Sequence, residues 1–351
     1  MTATAATLPA TGTSGVAERR RPTRVRTLWL AAAVGLLAVA AMGSVWIGSR
    51  GVSLSDVWGA LSGSDETLGE AAVTKRVPRT LLALIVGGAL GVSGAAMQGV
   101  TRNPLADPGV LGINMGASLA VVIGIAYFGL VDPATYIWVA IAGAGVAAVF
   151  VYAVGSLGRS GATPLKLALA GAATSAAGTS FVVAIVLPRN NISDTVQAWQ
   201  IGGVGGATFD KLGMVAPFLA VGFALCLASA RGLNSIALGD EVAAGLGENV
   251  ALTRAVAATG SVVLCGACTA VCGPIGFVGL VVPHACRLVV GPDYRWVLPL
   301  SALTGAALVT VSDTIGRFVA KPEEIDVGIV TALVGAPIFI SIVRRQRVRE
   351  L

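Results

Sequence analysis

The segment that decides the fold is TLLALIVGGALGVSGAAMQGV, residues 80–100. It contains no charged side chain, and it is as long as the roughly 20 apolar residues that an α-helix needs to cross a membrane. Gly87, Gly88, Gly91 and Gly94 lie within it. Glycine is costly in a water-exposed helix, but small residues allow membrane helices to approach each other closely. The segment therefore predicts a membrane-spanning helix that packs tightly against its neighbours.

The composition of the whole chain agrees with this interpretation. Of 351 residues, 55% are hydrophobic and 12% are charged, 46 are glycine, and the mean hydropathy is +0.83. The charged share is about half that of a soluble domain. These values exclude a soluble globular domain, a disordered chain and a secreted disulfide scaffold. Long unbroken apolar runs also argue against a transmembrane β-barrel, whose strands alternate between apolar and polar residues.

Nine further apolar runs resemble the first, although the one after Cys272 is short and interrupted by glycine and proline. We therefore predict an all-α integral membrane protein, a ten-span helical bundle. The membrane domain covers residues 28–343, between a basic tail at 1–27 and another at 344–351. The predicted spans are 28–47, 80–100, 110–129, 134–157, 165–187, 212–230, 251–271, 273–284, 297–320 and 325–343.

The positive charge is concentrated at the two ends of the chain. The 24 Lys and Arg exceed the 18 Asp and Glu by six, and nine arginines flank the first and last spans. The positive-inside rule then places both termini in the cytoplasm of a multi-pass protein of the cytoplasmic membrane, which requires an even number of spans. A nucleic-acid binder would instead carry its charge on a folded face. These arginines are Arg19, Arg20, Arg21, Arg24, Arg26, Arg344, Arg345, Arg347 and Arg349.

One predicted external segment, residues 49–79, departs from the positive-inside rule. It ends with Lys75, Arg76 and Arg79, on the side of the membrane where basic residues are scarce. Two explanations remain open at this point. The side chains could reach lipid headgroups, or they could bind an acidic partner. The same segment contains a short amphipathic piece that Ser53 or Ser55 would cap as a helix.

The residues that would support enzymatic chemistry are missing. None of the lysines follows a glycine, so a phosphate-binding P-loop cannot form. His284 is the one histidine, and the five cysteines lie mostly in apolar runs, where small core residues are the better interpretation. Asp313 is the clear carboxylate within a span, and Arg317 lies one helical turn away as a partner for an ion pair. We expect no cofactor in this chain, and we expect its energy to come from another subunit.

Three segments are not explained by membrane insertion alone: 76–98, 238–247 and 273–284. In the second, Asp240 and Glu241 suit the positive end of a short helix, Val242 and Leu246 form an apolar stripe, and Gly247 can end the helix. Such a helix in a cytoplasmic loop could be held by a soluble partner. A solvated loop with an incidental helix is the alternative.

Four stretches carry a resemblance to a known family: RVPRTL (76–81), NPLADPGVLG (103–112), GPIGFVGLVVPH (273–284) and VGIVTALVGAPIF (327–339). They resemble the FecCD family, the permease subunits of ABC importers for iron–siderophore complexes, haem and cobalamin. The resemblance extends from the first span to the last and implies the type II ABC importer permease fold. It also implies a second permease, identical or paralogous, two ATPase subunits that bind ATP and Mg²⁺, and an external substrate-binding lipoprotein.

The resemblance also implies roles for individual residues. Arg76, Arg79 and Arg317 match the family's arginines that receive acidic groups of the binding protein. The segment that matches the ATPase-contacting helix comprises Gly239, Asp240, Glu241, Val242, Ala244, Leu246 and Gly247. To the translocation path and helix packing we assign Gly87, Gly88, Gly91, Gly94, Gln98, Asn103 and Pro104.

These observations favour a non-enzymatic permease over its rivals. An ion-coupled secondary transporter would carry more ionisable groups within its spans. A lipid-modifying enzyme would cluster titratable residues at one membrane edge, and an ABC exporter would not require external arginines for docking. Within the family, a ferric siderophore is the predicted cargo, with cobalamin and haem as alternatives.

Overall fold

The computed structural model describes residues 22–347, except 49, 65, 110, 131–132, 158–162 and 322. The arginines at positions 19–21, most of the N-terminal tail and the final residues 348–351 therefore lie outside the described residues. Within the described residues, the chain forms fourteen helices and no strand. The helices are α1 (Thr23–Trp46), α2 (Leu54–Leu61), α3 (Leu68–Thr101), α4 (Ile113–Phe128), α5 (Pro133–Gly155), α6 (Pro164–Val186), α7 (Asn190–Ile201), α8 (Phe209–Ala228), α9 (Ala230–Ile236), α10 (Asp240–Gly245), α11 (Val250–Cys272), α12 (Val278–Val290), α13 (Tyr294–Val319) and α14 (Val327–Arg347).

The predicted all-α membrane architecture is confirmed, and each predicted span overlaps one helix. Seven helices are long and apolar enough to cross a membrane: α1, α3, α5, α6, α8, α11 and α13. Three further apolar segments are shorter: α4, α12 and the part of α14 up to Ser341. Ten spans remain a plausible count, but three of them do not reach full spanning length as straight apolar helices.

The second span begins earlier than predicted. Helix α3 starts at Leu68, and Thr67 and Glu70 form a capping box there, with each side chain accepting a hydrogen bond from the other residue's backbone N–H. The 34 residues of α3 extend for about 50 Å, well beyond a hydrocarbon core of about 30 Å. Arg76 and Arg79 therefore lie on a rigid helix rather than in the predicted loop, and Pro78 is accommodated inside it.

Two other predicted loops contain helices. The connection predicted between the spans 165–187 and 212–230 contains helix α7, and the one predicted between 212–230 and 251–271 contains α10 and all of α9 except Ala230. The eighth span is shifted, because α12 begins at Val278, directly after Phe277 in a left-handed conformation, and continues to Val290. The short amphipathic piece is confirmed as α2, and its N-cap is Ser53.

Helix α3 is the centre of the bundle. It packs most extensively against α13, and also contacts α11, α12 and α1. Nearly every residue of α3 from Leu82 to Gly99 is buried. A second layer forms where α11 packs on α8 and α5, and where α4 packs on α5 and α6.

Candidate functional site

A buried carboxylate joins α3 to α13 at one end of the bundle. Asp313 on α13 has a side chain only 1% exposed. Arg79 donates to its Oδ1 from Nε at 3.0 Å and from Nη2 at 2.8 Å. Arg317, one turn further along α13, places Nε 3.0 Å from Oδ2 of the same carboxylate. The predicted Asp313–Arg317 ion pair is therefore present, but the carboxylate is shared with a second arginine.

The remaining donors of Arg317 bind α1. Its Nη1 donates to the carbonyl oxygen of Ser44 at 3.0 Å, and its Nη2 donates to the Ser44 hydroxyl at 2.7 Å. That hydroxyl lies 2.8 Å from the hydroxyl of Thr80 on α3. Arg317 is buried inside the chain and ties three helices together.

Arg76 closes the end of α1. Its guanidinium donates to three backbone carbonyls: Val45 at 3.2 Å, Trp46 at 3.0 Å and Arg50 at 2.8 Å. The last carbonyls of a helix have no partner within it and carry partial negative charge, so a cation is favoured there. Arg76 is 7% exposed, and its contacts in this chain are those of a helix cap.

Arg79 also reaches an acid near the surface. Its Nη1 lies 2.6 Å from Oε2 of Glu324, a residue of the α13–α14 connection whose side chain is 39% exposed. Sequence reasoning did not identify Glu324. A signal was present, because Glu323 and Glu324 form an acidic pair a few residues after the helix that carries Arg317. The pKa of nearby Asp326 is raised above its ordinary value, mainly because the residue is partly buried. Arg79 lowers this pKa, whereas Asp313 and Glu324 raise it.

The predicted glycines line a seam on α3. A methyl group added to Gly87 would lie 2.3 Å from the carbonyl oxygen of Gly305, and one added to Gly91 would lie 2.3 Å from that of Ser301. At Gly94 the nearest atom would be the carbonyl oxygen of Gly279, at 2.0 Å. The backbones of α3, α12 and α13 approach each other so closely that only glycine fits at these positions. At Gly88 the nearest atom would be 3.2 Å away, so that position is less crowded.

Further along α3, Gln98 is buried between helices. Its Nε2 donates to the carbonyl oxygen of Gly279 at 3.1 Å, and its Oε1 accepts a hydrogen bond from Arg287. Asn103 stabilises the turn after α3, where its Oδ1 accepts from the backbone N–H of Leu105 at 3.0 Å. Pro104 is exposed beside it. The structure therefore brings Gln98 into the seam, while Asn103 and Pro104 lie in the following turn.

The predicted partner-binding helix is α10. Gly239 precedes it with a φ of 117° and Gly247 follows it with a φ of 84°, and these left-handed conformations favour glycine. Val242 and Leu246 are 51% and 66% exposed. No described part of the chain therefore covers the predicted apolar stripe.

Charged contacts hold the base of α10. Asp240 accepts two hydrogen bonds from Arg254 on α11, at 2.9 and 3.0 Å. Glu241 begins the same helix, and Ala244 lies on it near the apolar stripe. The helix is thus anchored to the long span α11 at its first residue.

Another acid anchors the start of α13. Asp293 is the N-cap residue and accepts hydrogen bonds from Arg295 and from Nδ2 of Asn234 on α9, the latter at 2.7 Å. Partial burial by itself would raise the pKa of Asp293. The hydrogen bonds from Arg295 and Asn234 have the larger combined effect, so the pKa falls to about 2.

The cysteines and the histidine are not arranged as a ligand set. All five cysteines are buried and free, as predicted for core residues. His284 is half-buried within α12. Among the described residues, no group of three or more His, Cys, Asp or Glu side chains could hold a metal ion.

Comparisons with known proteins match most of the chain to a family and to a solved structure. A family model described as the FecCD transport family matches residues 36–345. A "probable siderophore transport system permease protein", YfiZ of Bacillus subtilis (strain 168), is 40% identical over 312 residues, which cover 88% of this chain and 93% of the relative. The ferric enterobactin permease FepD of Escherichia coli (strain K12) is 41% identical over 312 residues, 89% of this chain and 93% of the relative. The solved structure of a metal-chelate type ABC transporter in an inward-facing conformation aligns with a TM-score of 0.76 at 27% identity, covering 91% of this chain and 99% of its own.

Proposed function

Because this chain belongs to the FecCD transport family, we propose that it is the permease subunit of an ABC importer that carries a ferric siderophore across the cytoplasmic membrane. The observation that carries the proposal is the match over almost the whole chain to relatives named for siderophore transport. The fold supports it, since the chain aligns over 91% of its length with the solved structure of a metal-chelate type ABC transporter.

The proposed assembly contains two permeases, two ATPase subunits and one external substrate-binding lipoprotein. The permease has no covalent chemistry to perform and needs no cofactor of its own; ATP and Mg²⁺ bind the ATPases. Both termini are proposed to be cytoplasmic, with α10 on the ATPase side and the Arg79 cluster on the outer side. Movement of the ATPases would pass through α10 into α11, because Asp240 and Arg254 connect the two.

The glycine seam is the proposed hinge of the transport cycle. Gly87, Gly91 and Gly94 bring backbones together without interlocking side chains. Small residues allow this close approach, and we expect the helices to shift past each other there with little side-chain rearrangement. Gln98 crosses the same seam, and we propose that its hydrogen bonds to α12 fix one arrangement of the helices.

The rival class is an ion-coupled secondary transporter. In that class an intramembrane carboxylate must gain and lose a proton or a sodium ion. Asp313 instead forms ion pairs with two arginines of this chain, Arg79 and Arg317. This favours an importer driven by ATP.

Uptake measurements in cells with and without this gene test the cargo. We expect ⁵⁵Fe-labelled ferric enterobactin to accumulate only in cells that carry the gene, while labelled cobalamin uptake is equal in both. Gene-dependent cobalamin uptake with no iron uptake would contradict the siderophore proposal and leave the permease role intact. Haemin supplied as the iron source is tested in the same way.

The docking role is tested at Arg79, because Arg76 and Arg317 are held by backbone carbonyls and buried groups. Arg79→Glu should abolish uptake, whereas the exposed Arg50→Glu should retain it. Normal uptake with Arg79→Glu would contradict a docking role for this residue.

The coupling role is tested at the apolar stripe of α10. Val242→Asp combined with Leu246→Asp should release the ATPase when the complex is purified through the permease. Leu238→Asp is a matched control, because Leu238 is also 64% exposed but lies before the helix. Full retention of the ATPase by the double variant would contradict the proposal.

A further inference from the structure

Of the three predicted docking arginines, Arg79 has the most accessible guanidinium. The side chain of Arg79 is 12% exposed and that of Arg317 is 2% exposed. Arg76 directs its guanidinium into the end of α1, where three carbonyls already accept from it. An external carboxylate that approaches this cluster can therefore reach Arg79 with the least rearrangement.

Two different acids hold the guanidinium of Arg79. Asp313 binds the Nε and Nη2 side and is 1% exposed. Glu324 binds Nη1 at 2.6 Å and is 39% exposed. Asp313 also balances Arg317, so its removal would leave two buried cations. Among the residues that the structure describes, Glu324 pairs with Arg79 alone, and water can replace it.

The two acids therefore differ in how easily they can be displaced. A buried ion pair is held by the cost of leaving one charge without a partner. A partly exposed pair is held weakly, because water solvates both charges when it opens. Glu324 is also on the connection between α13 and α14, whereas Asp313 is on the rigid helix α13 itself.

We infer that, in the free permease, Glu324 occupies the position on Arg79 that a carboxylate of the binding protein takes on docking. This inference rests on the proposed function, in which Arg79 receives an acidic group of that protein. Glu324 is then an internal competitor. It keeps the charge of Arg79 balanced while no partner is present, and it must move aside when the partner arrives.

The first experiment measures docking affinity. The permease is assembled with its ATPase in lipid nanodiscs, and the probe is the substrate-binding protein of the same import system without its lipid anchor. We expect Glu324→Gln to bind the probe about fivefold more tightly than the wild type, the value of a partly exposed ion pair that no longer competes. Glu323→Gln is the matched control, because Glu323 is exposed, adjacent and makes no ion pair with a described residue. It should bind like the wild type.

The second experiment needs no partner. Phenylglyoxal modifies accessible guanidinium groups, and mass spectrometry can follow its reaction at Arg79. Glu324→Gln should raise the modification rate at Arg79 severalfold, while Glu323→Gln leaves it unchanged. Equal rates in all three proteins would overturn the claim that Glu324 covers Arg79. Glu324→Ala repeats both experiments with a side chain that cannot form the hydrogen bond.

The Arg79→Gln background separates the inference from the function on which it rests. If Glu324 acts through Arg79, Glu324→Gln should produce no gain in affinity in that background. If Arg79→Gln binds the probe as tightly as the wild type, the docking proposal fails. If Arg79→Gln weakens binding but Glu324→Gln does not strengthen it, only the competitor role fails.

Discussion

Replacing Gly94 by alanine is the sharpest test of the seam between α3 and α12. The new methyl group would lie 2.0 Å from the carbonyl oxygen of Gly279 and 2.3 Å from its Cα, where ordinary contact begins at 3.4 Å. The obstacle is backbone, so no side chain can rotate away, and the two helices must separate locally by about 1.4 Å. The hydrogen bond from Gln98 to the same carbonyl would be strained as well.

The expected cost follows from two opposing effects. Overpacking costs about 1–3 kcal/mol, and a backbone clash belongs at the upper end of that range. Alanine is favoured over glycine inside a helix by about 1 kcal/mol. We expect Gly94→Ala to lower the free energy of unfolding by about 2 kcal/mol. Gly88→Ala, where the nearest atom is 3.2 Å away, should stay within about 1 kcal/mol of the wild type.

The free energy of unfolding of both variants is measured on the purified permease in mixed micelles. Sodium dodecyl sulfate is titrated in, and circular dichroism follows the loss of helix. The two substitutions are chemically identical and lie on the same helix, so propensity and hydrophobicity cancel in the comparison. Equal stabilities for Gly94→Ala and Gly88→Ala would refute the argument that backbone contact across the seam requires glycine. We also expect Gly94→Ala to slow uptake at temperatures where it remains folded.

Three further predictions follow from the charged and capping contacts. Asp313→Asn should lower the free energy of unfolding by about 3–5 kcal/mol, because two buried guanidinium groups lose their shared acid; the same titration checks this, and Glu323→Gln should leave stability unchanged. Asp293 has a pKa of about 2 against an ordinary 3.8, so its stabilisation of about 1 kcal/mol is complete above pH 4 and is lost as the pH falls towards 2. Asp293→Asn should therefore be less stable than the wild type at pH 7, and a difference that persisted at pH 2 would contradict this. Ser53→Ala should destabilise the start of α2 by about 1 kcal/mol, measured by faster amide hydrogen exchange there, whereas Ser55→Ala should have little effect.

The bundle could be predicted from the sequence because lipid restricts the choice of structure. A long apolar run without charges has to form a helix, since no water is available to satisfy its backbone. The apolar run at 80–100 and the nine other predicted spans therefore each overlap a helix of the structure. The glycines on α3 could be recognised as packing residues for the same reason, although the sequence could not say which backbone each one meets.

Helix boundaries outside the hydrocarbon core were less predictable. The segment before Thr80 contains three cations and Pro78, so it reads as a loop, yet α3 begins at Leu68. Thr67 and Glu70 have the spacing of a capping box, a sequence signal that the prediction of a loop did not use. Helix α7 was missed because residues 190–201 are polar and their helix is short.

The arginine cluster could be only partly predicted. Spacing on one helix indicated the pair of Asp313 and Arg317, since a partner one turn away is a local feature. The contact of Asp313 with Arg79 joins residues 234 positions apart, and no local pattern contains it. For the same reason, the contact between Arg79 and Glu324 became visible only in the folded chain.

The burial of every cysteine has a practical consequence for spectroscopy. Cys226, Cys265, Cys268, Cys272 and Cys286 are all enclosed by the fold, so a maleimide reagent should leave the native permease unlabelled. A single cysteine introduced at exposed Leu238 or Glu323, both outside the proposed partner contacts, could then carry a fluorophore or a spin label in an otherwise unaltered chain. Distances from that label to a second one on the ATPase or the binding protein would record each step of the cycle directly.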